Sequence, residues 1–282
     1  ISAIASRSRF DHLHILASQR RTRYSEDYDA LVGQGAEEEA IVLRLLKRPD
    51  RQSDRAPFEA EIGAALARWA EVDDHPHVVS LLDWGREPRP WAATSFAGES
   101  LAAIEDRSVT EALDNAIALA DAVAHCHRTD VVHAGLDPES VAYPGDVLDS
   151  NDQEPPLLNN VSLLPAFRYY RNPAELLDPR FAAPEYYERR FGRVDASTDV
   201  YGLGALVYYL FTGEPPVRGT FESVKAAVTG EETPRPSDVE PTVPAAVDDV
   251  VRKAMATAKL RRYDTVDHLH QDLVSLREDG LA

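Results

Sequence analysis

Cysteine and methionine occur once each in this chain of 282 residues, as Cys126 and Met255, and lysine only four times, as Lys47, Lys225, Lys253 and Lys259. A single cysteine forms no internal disulfide, which excludes a stapled secreted scaffold and fits a reducing compartment. No apolar run approaches the ~18 residues of a membrane span; the longest, 200–211, reads as a buried helix. No secretory leader is recognisable either, so the expectation is a cytoplasmic protein with no membrane span in this segment. The chain opens on Ile1 and its lone methionine is internal, which reads as a domain taken from a longer polypeptide.

Positive charge is also scarce. Lys and Arg total 30 against 48 Asp and Glu, a formal net charge of −18. A field of that sign repels nucleic-acid backbone and anionic lipid, so nucleic acid is not expected as a partner. Abundant carboxylate with arginine in place of lysine is the composition of an acidic, halophilic protein, as in a haloarchaeon; a GC-rich genome gives a similar arginine bias.

The 44% of apolar residues can bury the core of one large domain. Short β-like runs at 40–46 and 78–82 flank one helical pattern at 58–72. From residue 110 the apolar spacing becomes helical, with Leu113, Ile117, Ala120, Val123 and Ala124 on one face, and helical patterns recur at 200–211, 247–258 and 266–276. Segments 144–156 and 233–244 read as loops from their Pro, Gly, Asp and Asn content. The class expected is α+β, with a small β-rich lobe over 1–98 and a larger, mainly helical lobe over 99–282.

Several tracts fall in a telling order: Phe58-Glu59-Ala60-Glu61, His75-Pro76-His77-Val78-Val79, Phe181-Ala182-Ala183-Pro184-Glu185, Asp199-Val200-Tyr201-Gly202-Leu203-Gly204, Thr212-Gly213-Glu214-Pro215-Pro216 and Arg261-Arg262-Tyr263. Together they resemble a protein kinase domain of the bacterial and archaeal serine/threonine type over nearly the whole chain. The resemblance implies a two-lobed kinase-like fold. It also implies a structural pair between Glu185 and Arg262, and Asp199 at the start of a buried helix, where ordinary capping by Ser197, Thr198 and Asp199 would account for it.

The chemical positions are altered. The catalytic loop of that family, H-R-D-L-K-P-E-N, aligns with His133-Ala134-Gly135-Leu136-Asp137-Pro138-Glu139-Ser140. Gly135 then stands at the base, Asp137 at the phosphate-binding lysine, and Ser140 at a metal-binding asparagine. Asn160 takes the place of the metal-binding aspartate, and an amide oxygen brings no charge to Mg²⁺. Arg44 replaces the strand lysine, is expected to pair with Glu61, and does not copy an ammonium; Lys47 would point to the opposite face. No glycine lies in 15–24, where backbone would have to approach phosphate, while Gly33 and Gly35 read as a hairpin turn. Arg20, Arg21 and Arg23 could meet an anion and are read as a solvated edge. Thr94 and Phe96 lie where the family contacts adenine, so Arg44, Glu61, Thr94 and Phe96 are the residues of any remaining nucleotide pocket, and the cofactor implied is at most ATP without magnesium.

The remaining candidates are weak. The H-x-H pairs His12/His14, His75/His77, His125/His127 and His268/His270 suggest metal, but histidines two apart on a helix diverge, and no metal is expected. Cys126 reads as core. Two functional readings result. In the first, no catalytic group is intact and the domain is a pseudokinase, a binding or regulatory module whose partner is another protein or flanking domains of the same chain. The alternative is a divergent ATP-dependent serine/threonine kinase using Asp137 and Asn160, assisted by acids such as Asp146, Asp149 or Asp152.

Overall fold

A computed structural model describes residues 2–34, 37–95, 98–103, 108–144, 154–172, 175–230 and 232–280. After a short helix α1 (Ser2–Ala5), five strands form one antiparallel sheet: β1 (His12–Arg21), β2 (Ser25–Gln34), β3 (Glu37–Leu46), β4 (Leu81–Gly85) and β5 (Trp91–Ser95), in the order β1-β2-β3-β5-β4. Strand alternation splits β3 into two buried faces. Ile41, Leu43 and Leu45 join Ile4, Phe10, Val32 and Trp91 in a small core on one side. Val42, Arg44 and Leu46 therefore share the other face.

Leu46 there meets helix α2 (Gln52–Ala70), whose buried residues Phe58, Ile62, Ala65, Leu66 and Trp69 follow helical spacing. This helix begins six residues before the pattern at 58–72 because Gln52 and Ser53 are exposed and polar, and such residues carry no apolar period. The run 78–82 is likewise only partly strand: β4 starts at Leu81, and Val78 makes an isolated bridge to Leu158.

The rest is mainly helical: α3 (Val109–Arg128), α4 (Leu163–Phe167), α5 (Pro184–Tyr187), α6 (Ala196–Thr212), α7 (Phe221–Val228), α8 (Pro236–Val239), α9 (Ala245–Ala254) and α10 (Val266–Glu278), with a two-stranded ribbon of β6 (Val141–Ala142) and β7 (Leu157–Leu158). Ser108 and Glu111 form a capping box that starts α3. α6 is buried on almost every side from Thr198 to Phe211, so it acts as the central post. Its cap is Asp195, whose carboxylate accepts from the Ser197 amide while Thr198 returns a bond, so capping does not explain Asp199. No helix of the described residues is long and apolar enough to cross a membrane.

Glu185 and Arg262 meet in the interior through two bonds of 2.9 Å each, with both side chains fully buried. Burial alone would push the Glu185 carboxyl up, but Arg262 outweighs it and holds the group below the ordinary carboxylate range.

Candidate functional site

Between the sheet and the helical part lies a cleft of about 430 Å³, lined from above by Arg20 to Tyr24, Val42, Arg44 and Thr94 and from below by Gly135, Asp137, Ser140 and Asn160. The loop below is held by Asp199, which sits one turn into α6. Its carboxylate accepts from the amides of His133 (2.8 Å) and Ala134 (2.7 Å) and from His127 Nε2 (2.8 Å). Those bonds hold Ala134 at φ 62°, a left-handed conformation that a residue with a Cβ seldom adopts.

His133 completes the frame. Its Nε2–H donates to the Asn159 carbonyl at 2.8 Å and its Nδ1 accepts from the Gly135 amide at 3.2 Å, which fixes the neutral tautomer. Burial lowers the His133 pKa against the pull of Asp199, and burial also lowers those of His75 and His77. Depressed folded values mean that this contribution is fully present above the ordinary histidine pKa of ~6.5 and is lost as pH falls through the folded values. The urea midpoint should therefore drop between pH 8 and pH 5.5. His133→Gln should remove part of that fall in stability. A midpoint flat over this range would contradict the assignment.

Asp137 does not face the cleft as a free charge. It is 1% exposed; Oδ1 accepts from the Glu139 and Ser140 amides, while Oδ2 takes the Arg23 guanidinium and the Asp178 amide. Asp137, which stands where the family has its phosphate-binding lysine, thus brings no bare negative charge there, because Arg23 compensates it. Burial pulls the Arg23 pKa down, but Asp137 and Glu139 outweigh it and the group stands above its ordinary value. Arg23 is accordingly no solvated edge, although Arg20 and Arg21, paired with Asp29 and Glu26, remain largely exposed. Ser140 is committed as well: its hydroxyl accepts from the Asp137 amide and donates to the Asp137 carbonyl.

The expected pair of Arg44 and Glu61 is not formed. Arg44 donates to Asn159 Oδ1 at 3.0 Å and Asn160 Oδ1 at 2.6 Å, and its Nε lies 3.5 Å from Asp27, the residue opposite it in the β2–β3 register. Glu61, half-buried, accepts instead from the Tyr170 hydroxyl at 3.3 Å. The physical reason is proximity: a carboxylate across the ladder and two amide oxygens compensate the charge of the buried guanidinium without the α2 acid, although its Nε makes no hydrogen bond. Lys47, one residue past β3, donates to the Thr22 carbonyl.

Tyr24 fills the place under the hairpin tip. It is buried, packs edge-on to Phe167 at 5.2 Å, and donates to the Leu176 carbonyl at 2.9 Å. A Cβ built at Gly135 would come within 3.2 Å of Leu164 and 3.5 Å of the Tyr24 hydroxyl.

Mg²⁺ is the ion that this resemblance implies, and the donors present do not fit it. Asn160 Oδ1 is already bound by a guanidinium, the Ser140 hydroxyl is spent on Asp137, and Asp137 is spent on Arg23 and three amides. Thr94 is buried at the cleft wall. Phe96, Gly35, Asp146, Asp149 and Asp152 lie outside the described residues. Among the described residues no group of three or more His, Cys, Asp or Glu is placed to hold a metal. His75 and His125 are occupied by Asp121 and Asp74. Cys126 is buried, and burial pushes its thiol up to about 12.

Reasoning from the sequence misread Arg23 as a solvated edge and missed Tyr24, Asp27 and Asn159. The signal for Asp27 was available, since pairing the β2 and β3 patterns sets it opposite Arg44. For Tyr24, an aromatic residue in a stretch otherwise rich in arginine was the only hint.

No family model matches the chain. It is 30% identical over 267 residues to the DNA damage-responsive serine/threonine-protein kinase RqkA of Deinococcus radiodurans, covering 90% of this chain and 37% of that protein. It is 24% identical over 216 residues to the serine/threonine-protein kinase PrkC of Bacillus subtilis, covering 73% and 32%. The chain thus spans about a third of the length of the curated relatives it matches. In fold it is similar to the PknI kinase domain of Mycobacterium tuberculosis, with a TM-score of 0.67, 21% identity, and coverage of 95% of this chain and 97% of that one.

Proposed function

Since the chain belongs to the protein kinase superfamily, we propose that it is a member that has given up phosphoryl transfer and serves as a binding or regulatory module. Its partner is then another protein or further domains of the same polypeptide. The observation that carries this reading is the altered catalytic loop: Gly135 has no carboxylate, and even a Cβ there would crowd Leu164 at 3.2 Å. Phosphoryl transfer requires positioned phosphates, metal ions to neutralise charge, and a group to receive or orient the hydroxyl proton. Losing a base alone costs about 10²–10⁴ in rate, and the metal-ligand positions are engaged elsewhere.

The second reading, a divergent serine/threonine kinase, is favoured by the relatives' being named as kinases. It asks Asp137 to orient a hydroxyl or hold a metal. All four bonds to its carboxylate oxygens would have to be rearranged first.

Melting in the presence of ATP separates the two. If the donors do not hold Mg²⁺, any stabilisation by ATP is the same with and without the ion. A ligand at 100 times its Kd stabilises by ~2.7 kcal/mol, so a Mg²⁺-dependent rise of that order would contradict the proposal.

A further inference from the structure

Two 3₁₀ turns of the helical part, Arg189–Phe191 and Lys259–Arg261, lie side by side, because Lys259 Nζ donates both to the Arg193 carbonyl and to Asp195 at 2.7 Å. Between them and helices α9 and α10 opens a groove of about 1030 Å³, with Phe191, Val250, Tyr263 and Leu276 among its lining. Three of its cations have acids at hand: Arg190 with Glu188 at 2.6 Å, Arg252 with Asp249 at 2.5 Å, and Lys253 with Asp272 at 3.8 Å.

Others do not. Arg261 on the groove wall, Arg189 on the adjoining turn and Arg193 just past that turn are exposed and have no acidic partner among the described residues. Leu260, next to Arg261, is 99% exposed. In a chain of net charge −18, unpaired cations beside a groove of mixed apolar and polar lining run against the overall field, and Leu260 adds exposed apolar surface next to them.

We propose that this groove docks an acidic peptide segment of a partner protein that carries a bulky apolar residue. The carboxylates meet Arg189, Arg193 and Arg261, while the apolar side chain sits against Leu260 and the groove lining. Charge complementarity selects the partner: the local surplus of cations attracts acid, and the acidic remainder of the surface repels acidic chains that do not reach this face. The site is distinct from the cleft and holds whether or not the cleft transfers phosphate.

The test is fluorescence anisotropy at low ionic strength with a labelled peptide of repeated Glu-Glu-Leu. A Glu-Glu-Ser repeat, a Lys-Lys-Leu repeat and single-stranded oligo-dT serve as competitors. Saturable binding is expected, competed by neither of the other peptides nor by oligo-dT. Leu260→Ser and Arg261→Ser, both at exposed positions where folding is little affected, should each weaken it about tenfold, equivalent to 1.4 kcal/mol. Far-ultraviolet circular dichroism checks that both variants are folded. No saturable binding, unchanged affinity in both folded variants, or equal competition by oligo-dT or the Lys-Lys-Leu peptide would each overturn the proposal.

Discussion

Arg262→Ala should lower the free energy of unfolding by about 3–5 kcal/mol, the usual cost of removing one partner of a buried ion pair. The guanidinium meets both oxygens of Glu185, and also donates to the carbonyls of Ser197 and Ala256 at 2.8 Å each, so one side chain ties the start of α6 to α5 and to the segment after α9. Truncation leaves the buried Glu185 without its main partner, with the Thr198 hydroxyl at 2.7 Å and Lys259 at 3.6 Å still near. Arg262→Lys keeps the charge but loses the planar fork, so its cost should be smaller yet clearly measurable. Urea unfolding of the three proteins decides it. A loss below about 1 kcal/mol in the alanine variant would mean that the pair behaves as an exposed one. The Glu185 carboxyl is held low, so its contribution is present above the ordinary glutamate pKa and fades as pH falls through the folded value.

The second large effect is one of absence. Gly135→Asp returns a carboxylate to the loop, and in a site lacking only its base that change would raise the rate by about 10²–10⁴. Here it should raise nothing. The new Cβ would lie 3.2 Å from Leu164 and 3.5 Å from the Tyr24 hydroxyl, which is pinned to the Leu176 carbonyl, so Leu164 must shift to admit it. Overpacking of this kind costs about 1–3 kcal/mol, so the variant should be less stable as well as inactive. Even a carboxylate well placed there would find Arg44 on Asn160 and Arg23 on Asp137.

The division between what the sequence showed and what it hid has a physical cause. Helix α6 was legible because its residues are apolar all round and end in Gly213, which takes φ 69°. The Glu185–Arg262 pair was legible because both residues lie in recognisable tracts. Losses at single positions were legible too: Gly135 has no side chain in any fold. The rearranged contacts were not, because Arg23 and Asp137 are 114 residues apart and Arg44 and Asn160 are 116 apart. Which acid a buried arginine chooses depends on three-dimensional proximity: Asp27 could be found by pairing β2 with β3, but the two amide oxygens that also took Arg44 from Glu61 lie far along the chain. Asp199 shows the same limit. Its position at a helix start suggested a cap, yet Asp195 caps the helix and leaves Asp199 free to hold the loop of His133 and Ala134.

Transfer of radiolabelled γ-phosphate from ATP, to generic serine and threonine acceptors and to the protein itself, tests the central claim most directly. It should be run with Mg²⁺ and with Mn²⁺, in dilute and in molar salt, on the parent, Gly135→Asp and Asp137→Ala proteins. Label incorporated by all three should not exceed what appears without protein. Incorporation by the parent that disappears in Asp137→Ala would contradict the account and make Asp137 part of a working catalytic site.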